Sequence, residues 1–195
     1  MMKPLRIVIA DDEAVIRMDL KEILQEAGHT VVGETANGRR AVAIVRDTRP
    51  DLAILDVKMP DMDGIEAARM IAADHLAPVL LLTAFDDAEL IGRATDAGVL
   101  AYLVKPVEAK HLFPAMEIAL SRWQETEALE KELSAMRDSL ETRKLLDRAK
   151  GILMQAHHIS EDEAYRRMQR YSMEKRRSLK DIAAAVVQAG AKKRR

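Results

Sequence analysis

The chain of 195 residues is 48% hydrophobic and 32% charged, proportions of a soluble globular protein with room for one good core and a smaller second unit. It contains no cysteine, which excludes disulfides and thiolate metal sites and leaves oxygen or imidazole to hold any metal. The net charge of -1 conceals a division: residues 1–120 sum to -7 and residues 121–195 to +6. The two halves are therefore expected to meet different partners, with nucleic acid a candidate for the basic one.

The N-terminal stretch MMKPLRIVIADD has a short apolar run cut off by acids, so neither a signal peptide nor a membrane span is expected. The expected location is cytoplasmic, with no membrane partner. Apolar runs of strand length then recur at 5–10, 30–34, 52–56, 79–83 and 101–105. Between them, segments 14–27, 38–48, 64–74 and 86–97 place apolar residues at helical spacing, and Gly28 and Gly98 stand where helix C-caps belong. Strands that are apolar throughout, without alternation, have both faces covered, as in a parallel sheet between helix layers. The expectation is an α/β doubly wound, five-stranded parallel sheet.

In such a sheet, ligands bind outside the carboxyl ends of the strands. The first strand ends in Asp11-Asp12, the third in Asp56, the fourth in Thr83-Ala84 and the fifth in Lys105-Pro106. A lone aspartate such as Asp12 or Asp63 is more often a helix N-cap than a reactive group. So many polar strand ends on one rim are harder to explain in that way. Three carboxylates repel one another unless a hard cation sits among them, and an all-oxygen set suits Mg2+. A carboxylate beside that ion is a plausible phosphoryl acceptor. Asp56 would take the phosphoryl group, Asp11 and Asp12 would hold the metal, and Lys105 and the Thr83 hydroxyl would face the moving oxygens. Asp61 and Asp63 would belong to the following turn and helix N-terminus.

Asp11-Asp12, the loop DVKMPDMDG from Asp56 to Gly64, Thr83-Ala84 and Lys105-Pro106 together resemble the receiver domain of two-component response regulators, which is flavodoxin-like. The resemblance covers residues 4–120. It implies Asp56 as phosphoacceptor served by a cognate sensor histidine kinase, Mg2+ held by Asp11, Asp12, Asp56 and the Lys58 backbone carbonyl, and Lys105 pairing with the phosphoryl group before a cis Pro106. It also implies Thr83 and Tyr102 as a switch pair. A protein of this kind accepts a phosphoryl group on its own aspartate, and no substrate turnover is expected. The rival reading, a haloacid-dehalogenase-type phosphatase, needs two aspartates at D-x-D spacing, whereas Asp11 and Asp12 are adjacent and Asp56 is followed by Val57-Lys58.

From Glu108 to about Lys144 there is no glycine, and Pro114 lies early enough to be absorbed near the start of one long helix. Leu129, Leu133, Met136 and Leu140 recur at heptad spacing over barely two heptads, which makes a short self-associating seam or a helix packing on its own domain. Three further helical patterns follow at 145–158, 160–173 and 178–190, with Ser160/Glu163 and Ser178/Asp181 as capping boxes and Gly190 as a C-cap. Together they would bury Ile152, Leu153, Ala164, Met168, Leu179, Ile182 and Val186. Tyr165 and Tyr171 fit either that core or the surface. Adjacent helical residues such as His157 and His158 point about 100 degrees apart, which argues against a metal pair.

The string DRAKGILMQ, with Ala164, Met168, Tyr171-Ser172 and Ile182-Ala183, resembles an ANTAR domain, the RNA-binding antitermination module of bacterial regulators. This implies an all-α three-helix unit that binds hairpins in leader transcripts, with dimerisation presenting two modules. The expected organisation is a receiver at 1–120, a helical linker at 121–143 and the ANTAR unit with its basic tail at 144–195. Candidate RNA contacts are Arg148, Lys150, Arg167, Arg170, Tyr171 and Arg176, while Ala149, Gly151 and Ala164 read as packing residues. A phosphorylation-dependent homodimer is expected from the switch pair and the resemblance, with the seam as its candidate interface. The alternative output is DNA binding through a helix-turn-helix or protein docking alone; the joint at His158–Ser160 lacks the glycine often found in such a turn.

Overall fold

A computed structural model gives the fold and describes residues 3–84 and 98–192, the last three by backbone alone. The helical pattern predicted for 86–97 lies outside the described residues. Five strands, β1 (Arg6–Ala10), β2 (Thr30–Thr35), β3 (Leu52–Asp56), β4 (Val79–Thr83) and β5 (Ala101–Val104), pair in parallel in the order β2-β1-β3-β4-β5. Between them run α1 (Ala14–Glu26), α2 (Gly38–Thr48) and α3 (Gly64–Ala73). Beyond the sheet come α4 (Ala109–His157), α5 (Glu161–Lys175) and α6 (Leu179–Lys192).

Alternate strand residues enter two cores, because successive side chains on a strand point to opposite faces. Val8, Ala10, Ala53, Leu55 and Leu81 pack with Val42 and Val45 of α2 and Ile65 and Ile71 of α3. Ile7, Ile9, Ile54, Leu80 and Leu82 pack with Leu20 and Leu24 of α1 and Leu112, Met116 and Ala119 of α4. This two-sided burial is why the strands read as continuous apolar runs. The helix ends are closed by local chemistry. Gly28, at φ 85°, donates to Gln25 O while His29 N donates to Leu24 O, a Schellman closure of α1. The Asn37 and Asp63 side chains cap α2 and α3 by accepting from Arg40 N and Glu66 N.

The chain forms two compact units, 1–127 and 128–195. In the second, the C-terminal part of α4 packs with α5 and α6 around buried Ala149, Met168, Ile182 and Ala183, with Leu145, Leu153, Leu179 and Val186 against them. Three expectations are corrected here. The segment 145–158 is not a separate helix, because nothing between Pro114 and Gly151 interrupts the pattern and α4 runs through to His157. Gly190 is not a C-cap, since α6 continues to Lys192. Ile152 stays outside the core cluster, which follows the four-residue steps of Leu145, Ala149 and Leu153. Ser160 and Ser178 do cap their helices, accepting from Glu163 N and Asp181 N.

Two glycines test the local geometry in opposite senses. A Cβ on Gly64 would collide with the Asp56 backbone carbonyl, whereas one on Gly151 would meet nothing within 4 Å, so Gly151 is not a packing residue. Gly64→Ala should destabilise the first unit by roughly 1–3 kcal/mol through overpacking. Gly151→Ala should stabilise the second by roughly 0.5–1 kcal/mol through lower backbone entropy in the unfolded chain. Amide hydrogen exchange, which reports each unit separately, measures both.

Candidate metal centre and basic helical surface

The parallel sheet brings the carboxyl ends of β1, β3, β4 and β5 to one rim. Asp11 and Asp56 are buried there at 0% and 4% exposure, and Asp12 is exposed. One carboxylate oxygen from each of the three lies within 4.8 Å of the others. Lys105 Nζ lies 2.8 Å from Asp11 Oδ2 and 3.1 Å from Asp56 Oδ1, with Glu13 Oε1 at 3.6 Å. The Lys105-Pro106 peptide is cis.

Almost every polar atom of Asp11 is committed. Its N–H donates to Thr35 O, its carbonyl accepts from Arg17 Nη1 at 2.6 Å, and its Oδ1 accepts from Glu13 N at 2.9 Å. Oδ2 is buried, and the Lys105 ammonium at 2.8 Å is the partner that compensates its charge. A buried anionic oxygen beside a single ammonium and facing two further carboxylates is an environment a hard cation fits. The residues present therefore suit Mg2+.

Burial pushes the Asp56 carboxyl above its usual range, and Asp11 and Asp12 push in the same direction while Lys105 opposes them. For Lys105, burial acts to lower the pKa, and contacts with Asp11 and Asp56 outweigh it to leave the shift upward. Thr83 Oγ1 donates to Ala84 O at 3.0 Å, and Tyr102 on edge strand β5 is 47% exposed. Lys58 is exposed in the loop between β3 and α3. That loop is tied to the start of α2 by Asn37 Nδ2 donating to Asp61 Oδ2, with Asp61 at φ 65°. Asp63 is a cap and Asp12 is not, so two superficially similar aspartates have different duties. Glu13 and Arg17 were absent from the sequence-based site. Their positions one residue and five residues past Asp12 carry no spacing signal, and only the turn into α1 brings them back to Asp11.

In the second unit the basic residues divide by partner. Lys150 Nζ bridges Asp147 Oδ1 at 2.7 Å and Glu161 Oε1 at 2.6 Å, tying α4 to α5, and its side chain is 17% exposed. Arg167 Nε pairs with Glu163 Oε1 at 3.2 Å. Arg148, Arg166, Arg170, Arg176 and Arg177 are exposed, and their side chains form no ion pair among the described residues. Tyr171 is exposed with Lys175 Nζ 5.5 Å from its ring centroid, and Tyr165 is exposed too, so neither tyrosine is core.

Residues 7–117 match the family model of the response regulator receiver domain, and residues 134–187 that of the ANTAR domain. The chain belongs to the two-component response regulators that join a receiver domain to an ANTAR output domain, a family of regulators and not of catalysts. Over 185 residues it is 48% identical to the transcriptional regulatory protein PdtaR of Mycobacterium tuberculosis, a match covering 95% of this chain and 90% of that protein. Its first part is 36% identical over 112 residues to the chemotaxis protein CheY of Thermotoga maritima, covering 57% of this chain and 93% of that one. The solved receiver domain of the putative response regulator NarL from Mycobacterium tuberculosis aligns with TM-score 0.56 at 30% identity, over 59% of this chain and 94% of that one. The CheX-CheY-BeF3-Mg2+ complex of Borrelia burgdorferi aligns with TM-score 0.55 at 25% identity, over 58% and 87%. No helix among the described residues is long and apolar enough to cross a membrane.

The crowding of Asp56 by Asp11 and Asp12 has a measurable consequence. Asp56→Asn removes one of the repelling charges, so in chelator near neutral pH it should raise the melting temperature by roughly a few degrees. A carboxyl whose folded pKa is raised contributes stability that is present at low pH and lost as pH rises through that pKa. The advantage of Asp56→Asn should therefore shrink in mild acid, and thermal melts at the two pH values check the sign.

Proposed function

We propose that Asp56 accepts a phosphoryl group from a cognate sensor histidine kinase and that the ANTAR unit answers by binding RNA hairpins in leader transcripts, controlling transcription antitermination. The observation that carries the reading is the meeting of Asp11, Asp12, Asp56 and Lys105 on one rim of a chain whose other half is an ANTAR domain. In this reading an Asp56 carboxylate oxygen bonds to phosphorus as the bond to the donor nitrogen breaks. Asp11, Asp12, Asp56 and the Lys58 carbonyl would hold Mg2+, which would supply charge neutralisation to the transferring oxygens. Lys105 stays beside the phosphoryl oxygens as a fixed positive charge. The Thr83 hydroxyl leaves the Ala84 carbonyl for the phosphoryl group, and Tyr102 turns inward from its exposed position.

The domain reading that goes with it is a receiver at 1–120, a helical linker at 121–143 and the RNA-binding unit at 144–195, in a cytoplasmic protein. Leu129, Leu133, Met136 and Leu140 of α4 are 49–66% exposed. Such a stripe supports a second copy of the chain as its partner, with phosphorylation favouring the dimer and so presenting two RNA-binding units together. One phosphoryl group shifts such a balance by a few kcal/mol and leaves each fold intact.

The decisive experiment measures hairpin RNA affinity of phosphorylated and unphosphorylated protein at matched salt, with sedimentation alongside. Phosphorylated protein should bind more tightly and sediment as a dimer, and neither change should occur with Asp56→Asn or with Leu133→Glu combined with Met136→Glu. Preference for duplex DNA over hairpin RNA would overturn the output reading.

Among the RNA contacts, unpaired Arg148, Arg170 and Arg176 with Tyr171 fit phosphates and an unstacked base, while Lys150 and Arg167 are held by carboxylates. Arg170→Ala should reduce the slope of log affinity against log salt by about one. Lys150→Met should weaken binding with the slope unchanged, because it loosens the α4–α5 junction without removing a phosphate contact. Glu161→Gln should weaken binding likewise, although it removes a negative charge; salt titrations of the three variants separate contact from support.

A further inference from the structure

Arg17 lies on the first turns of α1, half-buried, and its guanidinium donates to the backbone carbonyl of Asp11 at 2.6 Å. That carbonyl belongs to the peptide between Asp11 and Asp12, whose carboxylates both face Asp56. On the other side of the same residue, the Asp11 N–H donates to Thr35 O at 3.1 Å, and Oδ1 accepts from Glu13 N at 2.9 Å. Among the described residues, Arg17 is the one side chain bonded to the carbonyl end of this arrangement. With the backbone held there and Oδ1 held by Glu13 N, Asp11 Oδ2 is turned into the acid cluster, 2.8 Å from Lys105 Nζ.

We infer that Arg17 is a positioning residue for metal binding: it pins the Asp11–Asp12 peptide so that both carboxylates keep the spacing a divalent cation requires. The inference rests on the proposed Mg2+ site. Coulomb's law alone gives the opposite expectation, because an arginine beside three carboxylates opposes cation binding and its removal would tighten it. Positioning and charge thus pull the affinity in opposite directions. Groups that orient a ligand without touching the metal typically govern 10–100-fold in affinity, which exceeds what a half-exposed charge screened by water and salt returns.

The test is calorimetric titration of the full chain with Mg2+, comparing wild type, Arg17→Met and Arg17→Lys, with melting in chelator to verify the fold. Arg17→Met should bind Mg2+ roughly tenfold more weakly. The Glu13 amide, which depends on the orientation of Asp11, should exchange its hydrogen faster in that variant. Arg17→Lys keeps the charge and lacks the reach of the guanidinium, so its affinity should fall between the two. Equal or tighter Mg2+ binding by Arg17→Met overturns the inference. If Arg17→Met fails to fold, Arg17→Lys decides: weaker binding supports the inference and wild-type affinity overturns it. Absence of Mg2+ binding by wild type would instead overturn the metal reading beneath it, so the two failures are distinguishable.

Discussion

Like-charge repulsion at the carboxyl end of the sheet is the constraint on which the first unit depends. Asp11 and Asp56 are buried side by side, and among the described residues the Lys105 ammonium is the one cation that reaches both. Such an arrangement is tolerable because Lys105 lies within 3.1 Å of a carboxylate oxygen of each, yet one ammonium stands against two buried carboxylates and the neighbouring Asp12. Such a site suits a hard cation, whose charge would offset the repulsion among the carboxylates. The surrounding structure serves that arrangement: Gly64 lets α3 start against the Asp56 backbone, Asn37 ties down the loop after Asp56, and the α1 turn closes over Asp11.

The rim owes its existence to the parallel sheet. Each strand contributes its last residues to the same side, so groups 45 residues apart in the chain, Asp11 and Asp56, become neighbours by strand pairing alone. Doubly wound connections then cover both faces with helices, and the two apolar cores make the rim rigid. Rigidity matters here because a metal carboxylate displaced by a fraction of an ångström loses much of its value as a ligand.

The second unit uses charge in another way. Its net positive half divides into cations held by carboxylates and cations left open to solvent. Lys150 joins α4 to α5 where helices of this length have little core to share, and exposed arginines on α5 and beyond keep the long-range field available to a polyanion. The same α4 that ends in this unit begins by packing Leu112, Met116 and Ala119 against the sheet. One uninterrupted helix therefore belongs to both units, a consequence of the absence of any breaker between Pro114 and Gly151.

Sequence alone determined much of this. Five apolar runs alternating with helical patterns define the parallel sheet, because burial on both faces leaves a compositional trace that needs no partner information. The strand-end rule then picks out Asp11, Asp12, Asp56, Thr83 and Lys105, since a strand's last residue is known once its run is known. Tertiary structure decided what depends on where chains return in space: that Arg17 and Glu13 fold back onto Asp11, that Gly64 presses on the Asp56 carbonyl while Gly151 faces open space, and that Lys150 is held by Asp147 and Glu161. A lysine reads the same in sequence whether a carboxylate or water surrounds it. Periodicity reports which face of an element is buried, and it is silent on which polar group each side chain meets, because that pairing is set by packing between elements distant in the chain.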